Sequence, residues 1–175
     1  MKFCSTCGAR VSLKIPEGED RQRHVCDACN TIHYQNPKII TGVIVTHGEQ
    51  VLLCRRAIEP RYGLWTYPAG FMENAETSAQ AAAREAQEEA QVELTNQRLF
   101  SLVDVPHANH VHVIYCAELA NEVYGAGVES LEVRLFNEAD IPWSELAFQS
   151  VHRNLELFLA DRQQGQQQVH HIQFA

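Results

Sequence analysis

Gly70-Phe71-Met72-Glu73-Asn74-Ala75-Glu76-Thr77-Ser78-Ala79-Gln80-Ala81-Ala82-Ala83-Arg84-Glu85-Ala86-Gln87-Glu88-Glu89-Ala90-Gln91-Val92 is the stretch on which the reading of this chain turns. From Thr77 to about Val92 the residues are strong helix formers, and Thr77 followed by Gln80 fits a capping box, so the pattern predicts a helix starting there. Glu85, Glu88 and Glu89 are related by i+3 and i+4 spacing and share one face. Ala79, Ala83, Ala86 and Ala90 gather on another stripe, where small side chains let the helix backbone approach a sheet. Like charges at those spacings oppose an isolated helix by roughly a few tenths of a kcal/mol per pair. The acidic face is therefore either a solvated surface or the seat of a cation. Mg²⁺ or Mn²⁺ suits it, because such ions take oxygen ligands, keep waters and share substrate phosphates.

Working outward, Ile39 to Thr46 and Val51 to Arg55 read as strands joined by the turn His47-Gly48-Glu49-Gln50, a hairpin. The loop that follows holds Pro60, Gly63, Pro68 and Gly70 around the aromatics Tyr62, Trp65, Tyr67 and Phe71, the make-up of a functional loop. Beyond the helix, Leu99 to Val105, His110 to Leu119 and Leu131 to Phe136 read as strands. Trp143-Ser144-Glu145-Leu146 is expected to open a last helix running through Leu155, Phe158 and Leu159. The fold class is α/β (α+β), a mixed β-sheet between helices. From Asp161 the Gln-rich tail reads as a polar linker, with Val169 to Phe174 ordered only against a partner surface and His170-His171 solvated.

At the other end, Cys4-Ser5-Thr6-Cys7 and Cys26-Asp27-Ala28-Cys29 are two Cys-x-x-Cys turns, which could form two disulfides but fit a small zinc ribbon better. Each turn aims two thiolates at one ion, and four thiolates close a tetrahedral Zn²⁺ shell with no open position, so the site would be structural. Cys54 and Cys116 sit singly in apolar runs and read as core. The expected organisation is a zinc ribbon over residues 1–36, a main domain over 37–160 and a polar tail over 161–175.

Of 175 residues, 45% are hydrophobic and 21% charged, a balance that suits burial of a real core. The formal charge is −8; residues 1–38 carry six bases and four acids, so the acidity lies in the remainder. That sign argues against a nucleic-acid partner and for divalent cations. No apolar run is long enough to cross a membrane and the start lacks a secretory apolar region, which leads us to expect a cytoplasmic protein.

The spacing Gly70, Glu76, Arg84-Glu85-Ala86-Gln87-Glu88-Glu89 and then Gln91-Val92, preceded by Trp65-Thr66-Tyr67-Pro68-Ala69-Gly70-Phe71, closely resembles the signature of the Nudix hydrolases. One position departs, with Gln91 where the family usually has glycine, which puts the loop after the helix in question. The resemblance implies a Nudix-type sheet between helices and hydrolysis of a nucleoside diphosphate linked to another group. It implies Glu85, Glu88 and Glu89 as the principal Mg²⁺ ligands, a further ligand from the Gly70 carbonyl, Arg84 orienting the carboxylates and Glu76 supporting the loop. For the general base it leaves Glu88, Glu89, Glu129 and Glu132 open.

A ribbon ahead of such a domain is also similar to the NADH pyrophosphatases and NAD-cap-removing hydrolases. Those carry a Ser-Gln-Pro-Trp-Pro-Phe-Pro segment where this chain reads Leu99-Phe100-Ser101-Leu102-Val103-Asp104-Val105-Pro106. Tyr34-Gln35-Asn36-Pro37 and Leu53-Cys54-Arg55-Arg56-Ala57-Ile58-Glu59-Pro60-Arg61-Tyr62-Gly63 more closely resemble a bacterial and plant branch associated with ADP-ribose or FAD. Tyr62, Trp65, Tyr67 and Phe71 would then stack on the substrate, and Arg55, Arg56 or Arg61 would meet phosphate oxygens. His107, His110 and His112 read as pocket or strand-edge residues more readily than as a second metal site. The alternative, a zinc-ribbon regulator that only senses a nucleotide, would not need all three glutamates. The ribbon is expected to brace the domain or help form a homodimer.

Overall fold

Val11–Lys14 (β1), Arg23–Cys26 (β2) and Ile32–His33 (β3) form an antiparallel sheet in the order β1-β2-β3. They belong to the first of two compact units, Met1–Pro37, in a computed structural model that describes residues 1–174. Its apolar interior is small, with Cys4, Val25 and Cys26 as the buried apolar residues among those described. The two Cys-x-x-Cys turns are built alike: Gly8 N donates to Cys4 O and Asn30 N to Cys26 O, at 3.0 and 3.1 Å.

The second unit begins with Lys38–His47 (β4) and Gln50–Arg56 (β5), followed by Trp65–Thr66 (β6) and Ala69–Phe71 (β7). Ser78–Ala90 (α1), Leu94–Val105 (β8), His110–Leu119 (β9), Ser130–Phe136 (β10), Gln149–Gln164 (α2) and His170–Gln173 (β11) complete it. The strand order is β10-β5-β4-β9-β8-β11, with β6 added to β5 and β7 to β4. β4 runs parallel to β9 and β11 parallel to β8, while the other pairs are antiparallel. The sheet is therefore mixed, as expected.

Helices cover both faces. Ala82, Ala86 and Ala90 of α1 pack on Val43, Val45, Leu52 and Cys54, which are fully or almost fully buried. On the other face, Val151, Leu155 and Phe158 of α2 pack with Ile44, Leu53, Phe100 and Ile114. The alanine stripe thus acts as read, although its buried line is Ala82, Ala86 and Ala90, with Ala79 and Ala83 half-buried. Thr77 caps α1 through the capping box, and both of its reciprocal hydrogen bonds are present. Cys54 and Cys116 are buried. No helix among the described residues is long and apolar enough to cross a membrane.

Three expectations need correction. Trp143–Glu145 is a separate 3₁₀ turn, and α2 starts only at Gln149, after Leu146 and Phe148 have taken extended backbone. The tail is not a linker: α2 continues through Asp161 to Gln164, and β11 joins the sheet edge with Ile172 buried. His170 is half-buried and not solvated as expected, whereas His171 is exposed. Their Nε2 atoms lie 2.9 Å from buried Asp161 and 2.8 Å from Asp104, so two histidine–carboxylate hydrogen bonds fasten a strand whose sequence looks polar.

Candidate active site

β4 changes partner along its length. Val45–His47 pair with β5, whereas Ile40–Gly42 pair with β7, so the sheet forks at the level of Gly42. Beside the fork lies a cleft of about 1120 Å³. Ala69, Gly70 and Phe71 from β7 and Arg84, Glu85, Glu88 and Glu89 from α1 line one side. His110, His112 and Ile114 from β9 and Phe148 to Val151 at the start of α2 line others.

Arg84 organises the acidic side. Its Nε and Nη2 donate to the two oxygens of Glu76 at 3.1 and 2.8 Å, and Nη1 donates to Glu85 at 2.8 Å and Glu88 at 3.1 Å. Nη2 also donates to the Phe71 carbonyl at 3.1 Å, tying the loop to the helix. These partners, Glu76 foremost, push the guanidinium further above its ordinary value, so it is a permanent cation. Glu76 in turn accepts from the Glu73 amide at 2.7 Å, and its carboxyl is held below the usual range, chiefly by Arg84.

Glu85 and Glu89 are buried carboxylates, and Glu88 is exposed. Burial pushes Glu89 up to about 8; the Ala69 amide, donating at 3.2 Å, offsets part of this, and the charges of Glu85 and Glu129 add to it. Glu85 is raised as well, by burial first, against the pull of Arg84. Gly70 leaves these oxygens room, since a Cβ there would run into the Glu85 carboxylate. Two buried carboxylates without full neutralisation, next to a cradle that only glycine leaves open, fit a hard divalent cation.

The loop between β9 and β10 packs on the C-terminal end of α1 and brings Glu129 to the cleft. Gly125 N and Gly127 N donate to Ala90 O and Glu89 O at 2.9 and 3.1 Å, capping carbonyls at the helix end. The approach is so close that a Cβ on Gly127 would overlap the Glu88 carbonyl. Gln91 takes the left-handed conformation, φ 55°, and its side-chain amide donates to Ala126 O at 3.0 Å. The residue that departs from the family pattern thus accepts the conformation glycine would supply.

Not every expected contact reaches the cleft. Gly70, Phe71, Arg84, the three glutamates, Glu129, Arg56 and Tyr67 line it, and Arg55, Arg61, Tyr62, Trp65 and Glu132 do not. Arg55 donates to Gly63 O at 2.8 Å and braces its loop. Arg61 and Tyr62 are exposed on that loop. Trp65 is core, its ring edge-on to Phe136 at 4.9 Å. Tyr67 is 1% exposed with Asn154 donating to its hydroxyl at 3.2 Å, so it is a wall of the cleft more than a stacking platform. Glu132 pairs with Arg134 on β10. Phe174, Phe148 and Ser150 also line the cleft, and no local sequence signal marks them.

In the first unit the four sulfurs of Cys4, Cys7, Cys26 and Cys29 lie within 4.8 Å of one another. The Cys4–Cys29, Cys7–Cys26 and Cys7–Cys29 separations are 3.8, 3.4 and 3.5 Å. Tetrahedral Zn–S bonds of about 2.3 Å require edges of about 3.8 Å, so the cage fits zinc. Thr6 N and Cys29 N donate to Cys4 and Cys26 sulfur, both at 3.4 Å, and His33 Nε2 lies 3.3 Å from Cys4 sulfur.

The family model for the Nudix N-terminal zinc ribbon matches residues 2–35, and the NUDIX domain model matches residues 36–157. A crystal structure of a NUDIX hydrolase from Nitrosomonas europaea is 47% identical over 99% of both chains, with a TM-score of 0.96. A curated relative from Stutzerimonas stutzeri (strain A1501), named NAD-capped RNA hydrolase NudC, is 31% identical over 92% of this chain and 57% of its own length. Another of that name from Vibrio vulnificus (strain CMCP6) is 38% identical over 57% of this chain and 36% of its own. The chain therefore spans well under two thirds of these curated relatives. An ADP-ribose pyrophosphatase from Streptococcus suis 89-1591 shares the fold, at 18% identity and a TM-score of 0.63. With its glutamate helix, forked sheet and four-cysteine ribbon in place, the chain belongs to the Nudix hydrolase family.

Proposed function

We propose that this protein hydrolyses the pyrophosphate bond of a nucleoside diphosphate linked to another group, with ADP-ribose or FAD as leading substrates, releasing AMP and a phosphorylated product. The observation that carries the reading is the buried pair Glu85 and Glu89, held by Arg84 and the Ala69 amide in the wall of one large cleft. Bound there, Mg²⁺ or Mn²⁺ would neutralise charge on the diphosphate and lower the pKa of an attacking water. Glu85, Glu88, Glu89 and the Gly70 carbonyl would hold it, and Arg84 fixes the positions of two of those carboxylates.

Arg56 lines the cleft without a carboxylate partner among the described residues, and its charge reaches Glu89. It is the cation available to phosphate oxygens, with Phe148 beneath its guanidinium at 5.2 Å. Glu129 is the general base we favour. It lines the cleft and its charge is felt by both Glu85 and Glu89, whereas Glu132 is engaged with Arg134. Phe71, 48% exposed at the cleft, is the best-placed aromatic for stacking. In the ribbon, Cys4, Cys7, Cys26 and Cys29 would hold a structural Zn²⁺.

A second reading, an NADH-type dinucleotide, is supported by the name of the curated relatives. The scarcity of cations supports a compact substrate over a polyanion, since Arg56 and Arg84 are the only Lys or Arg in the cleft lining and Arg84 is committed. Incubation of ADP-ribose, FAD, NADH and NAD-capped RNA with Mg²⁺, scored for AMP or for the shortened RNA, separates the readings. Failure with all four overturns the assignment. Glu129→Gln is expected to lose about 10²- to 10⁴-fold in kcat, the range for a general base. Glu132→Gln should stay near wild type.

A further inference from the structure

One stretch of the cleft lining carries no Asp, Glu, Lys or Arg side chain. Ile40, Val105, His110, His112, Ile114 and Phe174 line it, and its polar side-chain atoms are imidazole nitrogens. His112 is the informative one. Its Nε2 is sealed from solvent and has no hydrogen-bond partner, on a strand position flanked in register by Ile40 of β4 and Val103 of β8. A buried N–H without an acceptor is rarer in proteins than an unsatisfied lone pair. The single proton of the ring therefore belongs on Nδ1, which has no acceptor among the described residues and is not sealed off as Nε2 is. A second proton is disfavoured by burial and by neighbouring His110, which hold His112 down to about 4. The result is a neutral donor of fixed tautomer.

Register sets how far this donor lies from the metal side. Phe71, Ile40 and His112 form one row across β7, β4 and β9, and Ala69, Gly42 and Ile114 form the row two residues further on. Two strand spacings separate His112 from β7, roughly 10 Å, and the row of Ala69 lies roughly 7 Å along the strands. A diphosphate at Glu85 and Glu89 would thus direct its attached nucleoside toward His112, with Phe71 edge-on to His110 at 5.6 Å between them. A wall without Lys or Arg suits a base and not a further phosphate.

We infer that His112 is a specificity-determining residue of the proposed hydrolysis, its Nδ1–H donating to an uncharged acceptor, a ring nitrogen or carbonyl, on the nucleobase of the substrate. This rests on the proposed function, and two variants test it. His112→Leu removes the donor at similar size, and His112→Asn places an amide N–H where Nδ1–H stood. For the substrate that yields AMP, His112→Leu should raise KM about tenfold, the upper end of a neutral hydrogen bond, with kcat little changed. His112→Asn should recover most of that loss. Calorimetric titration of AMP without divalent ion should give the same order of affinities: wild type, then Asn, then Leu. Equal KM and AMP affinity for wild type and His112→Leu would overturn the inference, as would equal impairment of the two variants, which indicates packing alone. If wild type is inactive on every compound in the panel the proposed hydrolysis fails instead, and the AMP titration still decides the role of His112.

Discussion

Gln91 stands in a backbone conformation that costs a non-glycine residue roughly 1 kcal/mol or more, and it recovers part of that through the hydrogen bond from its side chain to Ala126. An exposed neutral bond of this kind contributes about 0.5–1.5 kcal/mol, so strain and bond nearly cancel. Gln91→Gly relieves the strain and loses the bond, and should change stability by less than about 0.5 kcal/mol. Gln91→Ala loses the bond without relief and should destabilise by about 1 kcal/mol. Urea unfolding of wild type and the two variants checks this; an Ala variant as stable as wild type would mean that the side chain contributes nothing to the loop. The substitution therefore leaves the loop intact that carries Glu129, because Gly125 and Gly127 supply the close contacts with the end of α1.

Among the elements, those whose pattern is local were legible in the sequence. α1 announces itself by its capping box and its alanine and glutamate faces, and β4, β5, β9 and β10 by β-rich runs between turn residues. The glutamate site came with α1, since helical spacing alone sets Glu85, Glu88 and Glu89 on one side. What was not legible depends on distant partners. β7 is three residues long and exists because β4 abandons β5. β11 is polar in composition and holds through Asp104 and Asp161, far away in the chain. Trp65 and Tyr67 look like ligands in sequence because aromatic content does not reveal which side of a strand meets the core. The ribbon is the opposite case, a module whose fold follows from four cysteines and little else. Its apolar core is too small to hold it, while structural zinc binding is worth about 10–16 kcal/mol in comparable peptides. The purified protein should carry one zinc per chain. Chelation should expose the amides of β1 to β3 to hydrogen exchange and leave the central strands β4 and β9 protected. Unchanged protection in the ribbon after full zinc loss would contradict a metal-held module.

Across the whole molecule, a net charge of −8 and a cleft holding Glu85, Glu88, Glu89 and Glu129 against one arginine, Arg56, that has no carboxylate partner among the described residues make stability a function of cations and pH together. Glu89 has an ordinary value of 4.5 and a folded value of about 8, so between them the folded chain keeps a proton that the unfolded chain has released. Raising the pH through that window therefore removes stability from the metal-free protein, and the loss is complete above the folded value. Glu85, shifted the same way, adds to it. A divalent cation binds the ionised carboxylates of the folded state and offsets the loss, so its stabilising effect must grow as the protons leave. The Tm of the metal-free protein should fall between about pH 6 and about pH 8.5, and saturating Mg²⁺ should raise Tm by several degrees more at the higher pH. Glu89→Gln cannot ionise, so it should be more stable than wild type without metal at the higher pH and should show a smaller Mg²⁺ response. A Mg²⁺ shift of equal size at both pH values, unchanged by the Gln variant, would mean that these buried carboxylates are not where the cation binds.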